Sequence, residues 1–174
     1  MHANGYLVDS VIPGGERLAY RALNDVVVAK SALSRMIELL LTVDGRLVAR
    51  YRADGLVVST PTGSTAYNLS AGGPILHPLL PVSVLTPICP HTLTLRPLVV
   101  PDTSVVEVEI ETRDDAPESR ADRVYLTVDG QEGGEIGFGD RVRLTRAAQP
   151  AYLVRTGERS SIFEGLRNKL HWGE

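Results

Sequence analysis

The segment Met36-Ile-Glu-Leu-Leu-Leu-Thr-Val-Asp-Gly-Arg-Leu-Val-Ala-Arg-Tyr-Arg52 carries the clearest indication of the fold. Two largely apolar stretches, residues 36–43 and 46–52, flank the pair Asp44-Gly45. An Asp-Gly pair in this setting is typical of the two-residue turn that joins neighbouring antiparallel strands. The segment therefore predicts a β-hairpin.

Strand-like patterns recur on both sides of this hairpin. In residues 105–112, valine and isoleucine alternate with glutamate, a period of two that indicates a half-exposed strand. Shorter apolar or β-branched runs predict further strands at residues 22–29, 56–59, 82–88, 123–128, 141–146 and 151–155. Many short strands at close spacing favour a mainly β domain, built as a sandwich or a barrel.

Helix signals are few. A short helix is predicted from Ser64 to Ser70, where Gly72-Gly73 would end it. A second is predicted at residues 161–172, because Ser161 and Glu164 have the spacing of a capping box. We expect its apolar residues to lie on the body of the protein: Ile162, Phe163, Leu166 and Leu170.

Composition limits the classes of function. The chain has 174 residues, 43% of them apolar, which suffices for one domain with a real core. Its net charge of -3 gives no electrostatic reason to expect nucleic acid or an anionic membrane as a partner. The single cysteine, Cys89, cannot form an intrachain disulfide, and no transmembrane or signal-like segment is evident. We therefore expect a cytoplasmic protein.

Residues 54–74 form an unusual segment, in which a strand runs into a turn shaped by proline and glycine. Small hydroxyls and exposed backbone amides suit a nucleotide cradle. The segment has neither the P-loop pattern nor a GxGxxG motif. From the residues alone, an ordinary turn and helix cap explain it equally well. The turn carries the hydroxyl-bearing residues Thr60, Thr62, Ser64, Thr65, Tyr67 and Ser70.

Residues 60–74, Thr-Pro-Thr-Gly-Ser-Thr-Ala-Tyr-Asn-Leu-Ser-Ala-Gly-Gly-Pro, resemble the signature of the NAD kinase family. Further matches follow the order of that family, and the likeness runs from about residue 20 to the end of the chain. They are Ala22-Leu-Asn-Asp-Val-Val-Val28, Pro87-Ile-Cys-Pro-His-Thr-Leu93 with Arg96-Pro97, Val128-Asp-Gly-Gln131 and the helix at residues 163–172. Leu95 departs from the pattern, since a polar residue is expected before Arg96.

The resemblance implies a two-domain enzyme of which this chain is one part. Family members join an N-terminal α/β domain to a C-terminal β-sandwich, and the base is the aspartate of a Gly-Gly-Asp-Gly motif in the first domain. That motif is absent from the sequence, in which Gly14-Gly15-Glu16 is the nearest string. We expect residues 1–20 to be a remnant of the interdomain region and residues 21–174 to be the NAD-binding domain. The chain resembles a truncation and is expected to be inactive alone.

The resemblance also implies a reaction and its partners. The family phosphorylates the 2′-hydroxyl of the adenosine ribose of NAD with ATP or polyphosphate and a divalent metal, for which we expect Mg²⁺. Its members are commonly homodimers or homotetramers. Carried over by motif position, the residues that contact NAD are Asn24, Asp25, Asp54, Thr62, Thr65, Ala66, Tyr67 and Ser70.

Other interpretations stay open at this point. The chain could be a non-catalytic module that binds NAD or NADP, a lipid-kinase relative of the same superfamily, or an interaction domain. Single residues have plainer interpretations as well: Asn24-Asp25 could simply begin a strand, and Asp54-Gly55 could be a turn. We predict that Asp44 and Asp129 shape turns, and that Cys89 is buried. Structural roles are also predicted for His77 and His91.

Overall fold

Antiparallel strands account for most of this chain. The computed structural model describes residues 2–3, 6–11, 18–31, 34–92, 94–111, 123–153 and 162–171. Its strands are β1 (His2–Ala3), β2 (Tyr6–Val11), β3 (Leu18–Ala22), β4 (Asp25–Lys30), β5 (Ile37–Val43), β6 (Arg46–Ala53), β7 (Gly55–Ser59), β8 (Val82–Ile88), β9 (Leu98–Pro101), β10 (Val106–Ile110), β11 (Val124–Val128), β12 (Gln131–Ile136), β13 (Arg141–Arg146) and β14 (Ala151–Tyr152). Its helices are a 3-10 turn at Gly63–Thr65, α1 (Tyr67–Ser70) and α2 (Ile162–Leu170).

Two six-stranded sheets form the fold. The first has the order β3-β2-β13-β10-β5-β6, the second has the order β12-β11-β4-β7-β8-β9, and β1 pairs with β14 separately. Every pairing in the described part of the chain is antiparallel. The predicted mainly β, sandwich-like fold is thereby confirmed.

Two of the three Asp-Gly pairs, Asp44-Gly45 and Asp129-Gly130, form the predicted hairpin turns. Asp44 and Gly45 have φ values of 51° and 72°, and Asp129 and Gly130 have φ values of 50° and 76°. A two-residue turn with two positive φ angles matches the twist of antiparallel strands, which explains the Asp-Gly composition. The first turn joins β5 to β6 and the second joins β11 to β12.

The inner faces of the two sheets share one hydrophobic cluster. From the first sheet, Leu39 and Leu41 on β5 are fully buried, as the alternation of that strand requires. From the second sheet, Leu56 and Leu126 are equally buried in the same cluster. Since each fully buried leucine contributes about 2 kcal/mol or more, this cluster is the main source of stability.

The central strands of the second sheet are buried on both faces. Val26 and Val28 on β4 belong to the core cluster, whereas Val27 between them is also buried, on the opposite face. The same holds for β7, of which all five residues are buried. Helix α1 contacts β7, and Leu76 is buried on the way back to β8. The hydroxyl-rich segment therefore lies against the outer face of this sheet.

Several details differ from the sequence-based predictions. The helix predicted from Ser64 to Ser70 is split, because Ala66 has φ -94° and ψ -131° between the 3-10 turn and α1. Strands β1, β2, β3, β9 and β12 were not predicted. Strands β1 and β2 and the first three residues of β3 lie in the segment predicted to be an interdomain remnant, and β2 and β3 belong to the first sheet. The domain boundary near residue 20 stays a prediction.

Three predictions of burial are wrong. Phe163 is 59% exposed and Leu170 is 38% exposed, whereas Leu166 is buried. Successive helical residues are rotated by about 100°, so the side of α2 that carries Ile162 and Leu166 leaves Phe163 outside. Leu170 lies on the same side as Leu166 but is the last residue of the helix. Cys89 is exposed because β8 ends before it and its φ of 45° places it in a bend. The capping serine, Ser161, lies outside the described residues. Among those residues, no helix is long and apolar enough to cross a membrane.

Candidate functional site

Three strand ends meet at one end of the second sheet. Strand β4 begins at Asp25, and its neighbours β7 and β11 run antiparallel to it on either side. Asp25 is therefore in register with Ser59, the last residue of β7, while Val128 at the end of β11 is in register with Val26. This topology brings together residues 23–25, the turn that follows Ser59, and Asp129.

A single carboxylate holds the amide side of residues 23–25. Asp129 Oδ2 accepts the backbone N–H of Leu23 at 2.7 Å, and Oδ1 accepts those of Asn24 at 2.7 Å and Asp25 at 3.1 Å. The backbone N–H of Asp129 in turn donates to the Asp25 carbonyl at 3.0 Å. Asp129 was predicted only to shape its own hairpin. The structure adds this second role, in which it fixes the segment that carries Asn24 and Asp25.

The carbonyl side of the same segment is held from β7. The Thr60 N–H donates to the Asn24 carbonyl at 2.9 Å, and the Ser59 hydroxyl donates to it at 3.2 Å. The Thr60 hydroxyl donates to the Leu23 carbonyl at 2.7 Å. Within the described part of the chain, the Asn24 side-chain amide has no protein partner. Its donor and its acceptor are therefore available to a ligand.

Gly63 packs directly on this segment. A Cβ atom at position 63 would lie 2.1 Å from the Asn24 carbonyl oxygen and 2.6 Å from the Asn24 Cα. The Gly63 N–H donates to the Thr60 hydroxyl at 3.0 Å, which closes the turn. Only glycine permits this approach of two backbones.

Asp25 is a buried carboxylate, with 4% of its surface exposed. Burial, which disfavours the charged form, is the main cause that raises the pKa of Asp25, and the nearby Asp129 carboxylate raises it further. A hydrogen bond from the backbone N–H of Tyr67 opposes this rise of the Asp25 pKa. This effect on the Asp25 pKa places the beginning of α1 close to the beginning of β4.

The raised pKa of Asp25 predicts how stability depends on pH. A group whose pKa is raised in the folded state contributes most to the free energy of unfolding at a pH below its ordinary pKa. That contribution to stability is lost as the pH rises through the folded-state pKa. Asp25→Asn removes the buried charge while its amide oxygen can still accept the Tyr67 N–H. We expect its Tm to exceed that of the wild type by a few degrees at pH 7 and the difference to shrink towards pH 4. Thermal unfolding at both pH values measures this, and a variant less stable than the wild type at pH 7 would contradict it.

A buried network gives the turn after β7 its shape. The Ser64 hydroxyl donates to the Pro61 carbonyl at 2.7 Å and accepts the Leu76 N–H at 3.0 Å. The Asn68 side-chain amide donates to the Ser64 carbonyl at 3.0 Å and to the Pro74 carbonyl at 3.1 Å. These contacts connect both ends of residues 61–76. They explain why polar residues of this segment are buried.

The exposed residues of this turn include most of the predicted NAD contacts. Thr62 is half-buried, whereas Thr65, Ala66, Tyr67 and Ser70 are exposed. The turn carries them beside Asn24 and Asp25, because Gly63 touches the first and the Tyr67 N–H bonds to the second. Asn24, the buried Asp25 and the first part of this turn therefore lie together at one end of the sheet, whereas Asp54 does not. Their contacts with NAD stay a prediction.

Asp54 lies away from this surface. It directly precedes β7 and lies five positions before Ser59, the last residue of that strand, which corresponds to about 17 Å of extended chain. Its carboxylate pairs with the Lys30 ammonium at 3.5 Å, and the same ammonium donates to the Ser34 carbonyl at 2.8 Å. The contact of Asp54 with the second nucleoside stays a prediction. In the structure, the partner of its carboxylate is the Lys30 ammonium.

Among the described residues, no three histidine, cysteine, aspartate or glutamate side chains converge as metal ligands. Asp129, which lies beside Asn24 and Asp25, already accepts three backbone N–H groups.

A cavity of about 260 Å³ adjoins the Asp129 side of the segment. Its lining includes Arg21, Leu23, Asp129, Gln149 and Pro150. The Arg21 guanidinium donates to the Gln149 side-chain oxygen at 3.3 Å across its rim. It is a small opening next to the surface that carries Asn24.

Known proteins resemble this chain in both sequence and fold. A model of the ATP-NAD kinase C-terminal domain matches residues 23–156, which is more than half of the chain. The NAD kinase of Geobacter sulfurreducens is 49% identical over 169 residues, a match that covers 97% of this chain and 57% of that protein. The NAD kinase of Geotalea daltonii is 48% identical over 161 residues, covering 92% of this chain and 54% of that protein. The chain thus spans about half the length of these curated relatives.

Two solved structures of related kinases have a similar fold. Yeast NADH kinase complexed with NADH has a TM-score of 0.88 at 31% identity, and the match covers 99% of this chain and 49% of that chain. An NAD kinase from Archaeoglobus fulgidus in complex with ATP has a TM-score of 0.67 at 30% identity, covering 86% of this chain and 53% of that one. The family model, the close relatives and the shared fold together show that this chain belongs to the NAD kinase family and contains its C-terminal domain.

Proposed function

We propose that this chain is the NAD-binding part of an NAD kinase, an enzyme that phosphorylates the 2′-hydroxyl of the adenosine ribose of NAD. The observation that carries the proposal is the convergence of Asn24, Asp25 and residues 60–67 at one end of the second sheet. Two findings support it: the family model matches residues 23–156, and yeast NADH kinase, which shares the fold, was solved with NADH. ATP or polyphosphate would be the phosphoryl donor.

Each residue of the surface suits a part of a dinucleotide. The Asn24 amide can donate and accept, as contact with an adenine edge or a ribose requires. The Asp25 carboxylate can accept from ribose hydroxyls, and the half-exposed Tyr67 ring can lie against a base or a sugar. The turn residues Thr62, Thr65 and Ala66 would contact adenine, and Ser70 would support them. Asp54 would contact the other nucleoside.

The proposal assigns positioning to this chain. Phosphoryl transfer is catalysed mostly by placing the two reactants and by stabilising charge. The surface around Asn24 would hold NAD so that one ribose hydroxyl faces the donor. The base and the ligands of the divalent metal are left to residues outside this sequence, which lacks the Gly-Gly-Asp-Gly motif. We further propose a cytoplasmic homodimer or homotetramer as the working assembly.

A second candidate function is a module that binds NAD or NADP without catalysis. A reading frame upstream of residue 1 that encodes Gly-Gly-Asp-Gly would support the kinase, and a native start at Met1 would support the module. A lipid-kinase relative is the weaker alternative, because residues 60–74 match the NAD kinase signature.

Calorimetric titration of the purified chain with NAD, NADP and ATP tests the proposal. Saturable binding of the dinucleotides, stronger than that of ATP, is the expected result. Asn24→Ala and Tyr67→Ala should each weaken NAD binding about tenfold, the loss expected for one hydrogen-bonding amide or one stacked ring. The same sample supplied with NAD and ATP is expected to form no NADP.

Tyr152→Ala is the matched control for Tyr67→Ala. Tyr152 is 77% exposed and lies on β14, outside the proposed surface. Its substitution should leave NAD affinity within about twofold of the wild type, as for a surface site. All three variants should retain the wild-type Tm within a few degrees. Unchanged affinity in both Asn24→Ala and Tyr67→Ala would refute the assignment of the surface.

A further inference from the structure

We propose that Asp129 is a positioning residue for NAD binding, one that holds the backbone of residues 23–25 so that Asn24 and Asp25 face the ligand. The inference rests on the proposed function and deepens it. It gives a role in recognition to a residue that lies more than 100 positions away along the chain and that is not among the predicted NAD contacts. Asp129 acts through the segment that it binds.

The hydrogen bonds themselves are the first argument. Three consecutive N–H groups, those of Leu23, Asn24 and Asp25, converge on the two oxygens of Asp129 at 2.7, 2.7 and 3.1 Å. A carboxylate accepts at both oxygens and strengthens each bond through its charge. An amide in the same place would offer one accepting oxygen and turn an NH₂ group towards the remaining donors.

The comparison with Asp44 is the second argument. Asp44 occupies the same position of the same kind of turn, with φ of 51° against 50° for Asp129. Its carboxylate accepts one backbone N–H, that of Val105 at 2.8 Å. The turn by itself therefore does not require a carboxylate with three donors. Asn would satisfy such a turn equally well, so the three bonds of Asp129 have a purpose beyond the hairpin.

Asp129 also brings a second negative charge close to the buried Asp25 carboxylate. Asp129 lies close enough to the buried Asp25 to disfavour its ionised form. A fold selected only for stability would avoid two neighbouring carboxylates, and an asparagine at position 129 would relieve the repulsion. The chain keeps both, which is expected where the exact placement of residues 23–25 matters more than the repulsion.

The surroundings explain why the segment responds to Asp129. On the carbonyl side of residues 23–25, Leu23 and Asn24 accept hydrogen bonds from Ser59 at the end of β7 and from Thr60, which follows it. On its amide side, Asp129 makes the three bonds that oppose them. Removal of those bonds leaves Asn24 held from one side only. Because Asp129 is exposed, the loss should affect the placement of Asn24 more than the stability of the whole domain.

The test compares Asp129→Asn with Asp44→Asn, both made in the full 174-residue chain. Calorimetric titration with NAD is expected to show affinity about tenfold lower or worse for Asp129→Asn, the loss that one or two charge-assisted bonds predict. Asp44→Asn should bind within about twofold of the wild type, since it changes an equivalent turn that belongs to the other sheet. Equal affinities in the two variants would overturn the inference.

Two further measurements separate positioning from a general loss of structure. Hydrogen exchange without ligand should speed up at the amides of Leu23, Asn24 and Asp25 in Asp129→Asn and stay unchanged there in Asp44→Asn. In an Asn24→Ala background, Asp129→Asn should weaken NAD binding by clearly less than it does in the wild type, because both changes act through Asn24. Fully additive losses of affinity, or unchanged exchange, would overturn the inference.

The proposed function and this inference fail in different ways. A wild-type chain that is folded and binds no NAD would refute the proposed function, and the exchange of the three amides alone would then decide whether Asp129 holds the segment. A wild type that binds NAD, with Asn24→Ala weakened and Asp129→Asn unchanged, would refute the inference and leave the proposed function standing.

Discussion

Gly63→Ala is expected to abolish NAD binding by this chain. The added Cβ would lie 2.1 Å from the Asn24 carbonyl oxygen, 2.4 Å from its carbon and 2.6 Å from the Asn24 Cα. All three atoms are backbone atoms, so no side-chain rotation can relieve the contact. Either the turn after β7 or the segment at residues 23–25 must move by an ångström or more.

Both movements damage the proposed site. The Asn24 carbonyl is already fixed by Ser59 and Thr60, and its displacement would break those bonds. Overpacking against a rigid neighbour costs about 3 kcal/mol of unfolding free energy. Misplacement of a binding group by about 1 Å reduces function by about 100-fold, so we expect at least that loss of NAD affinity in calorimetry.

Gly165→Ala is the matched control. Gly165 lies in helix α2, where an added Cβ would meet nothing within 4 Å. Alanine favours a helix over glycine by about 1 kcal/mol, so this variant should be as stable as the wild type or slightly more stable. Its NAD affinity should be unchanged. If Gly63→Ala binds NAD as tightly as Gly165→Ala does, the close packing of the turn on Asn24 plays no part in recognition.

Asn68→Ala is expected to cause the largest loss of stability. Asn68 is fully buried and makes three side-chain hydrogen bonds, donating to the Ser64 and Pro74 carbonyls and accepting from the Thr86 hydroxyl at 2.7 Å. Alanine would leave these buried partners unsatisfied. The expected cost is about 3 to 5 kcal/mol of unfolding free energy, or a fall in Tm of about 6–20 °C for a domain of this size.

Asn168→Ala controls for the chemistry of the substitution. Asn168 is exposed on α2, so its replacement should change the Tm by no more than about 2 °C. Thermal unfolding of the two variants side by side measures the difference. Similar Tm values would mean that the network around Asn68 does not stabilise the turn. NAD affinity should fall together with Tm in Asn68→Ala, because this network sets the course of residues 61–76.

Much of the fold follows from local patterns in the sequence. The Asp44-Gly45 pair correctly predicted the hairpin of β5 and β6. The alternation of valine and glutamate predicted β10, with its alternating buried and half-buried residues. Strand β12 was missed because its segment, Gln-Glu-Gly-Gly-Glu-Ile, has neither apolar alternation nor β-branched residues before Ile136. It is a strand because the Asp129-Gly130 turn pairs it with β11 at the edge of the sheet.

The candidate site was predictable only in part. Asn24, Asp25 and the exposed residues of the turn were chosen from the family resemblance, and the structure brings them together. The role of Asp129 was not predictable, because its bond to Leu23 joins residues 106 positions apart and depends on the pairing of β11 with β4. The position of Asp54 at the opposite end of β7 likewise follows from sheet topology, about which local composition gives no information.

Strands β4 and β7 are buried on both faces, so the residues that maintain the fold are distinct from the exposed residues that are free to change. The interiors of these strands are closed to change, since a substitution there would disturb a packed layer on either face. The exposed residues of the turn that follows β7, such as Thr65 and Ala66, have no such constraint. A descendant of this chain could therefore acquire a different ligand preference through changes in this turn, while its scaffold stayed the same.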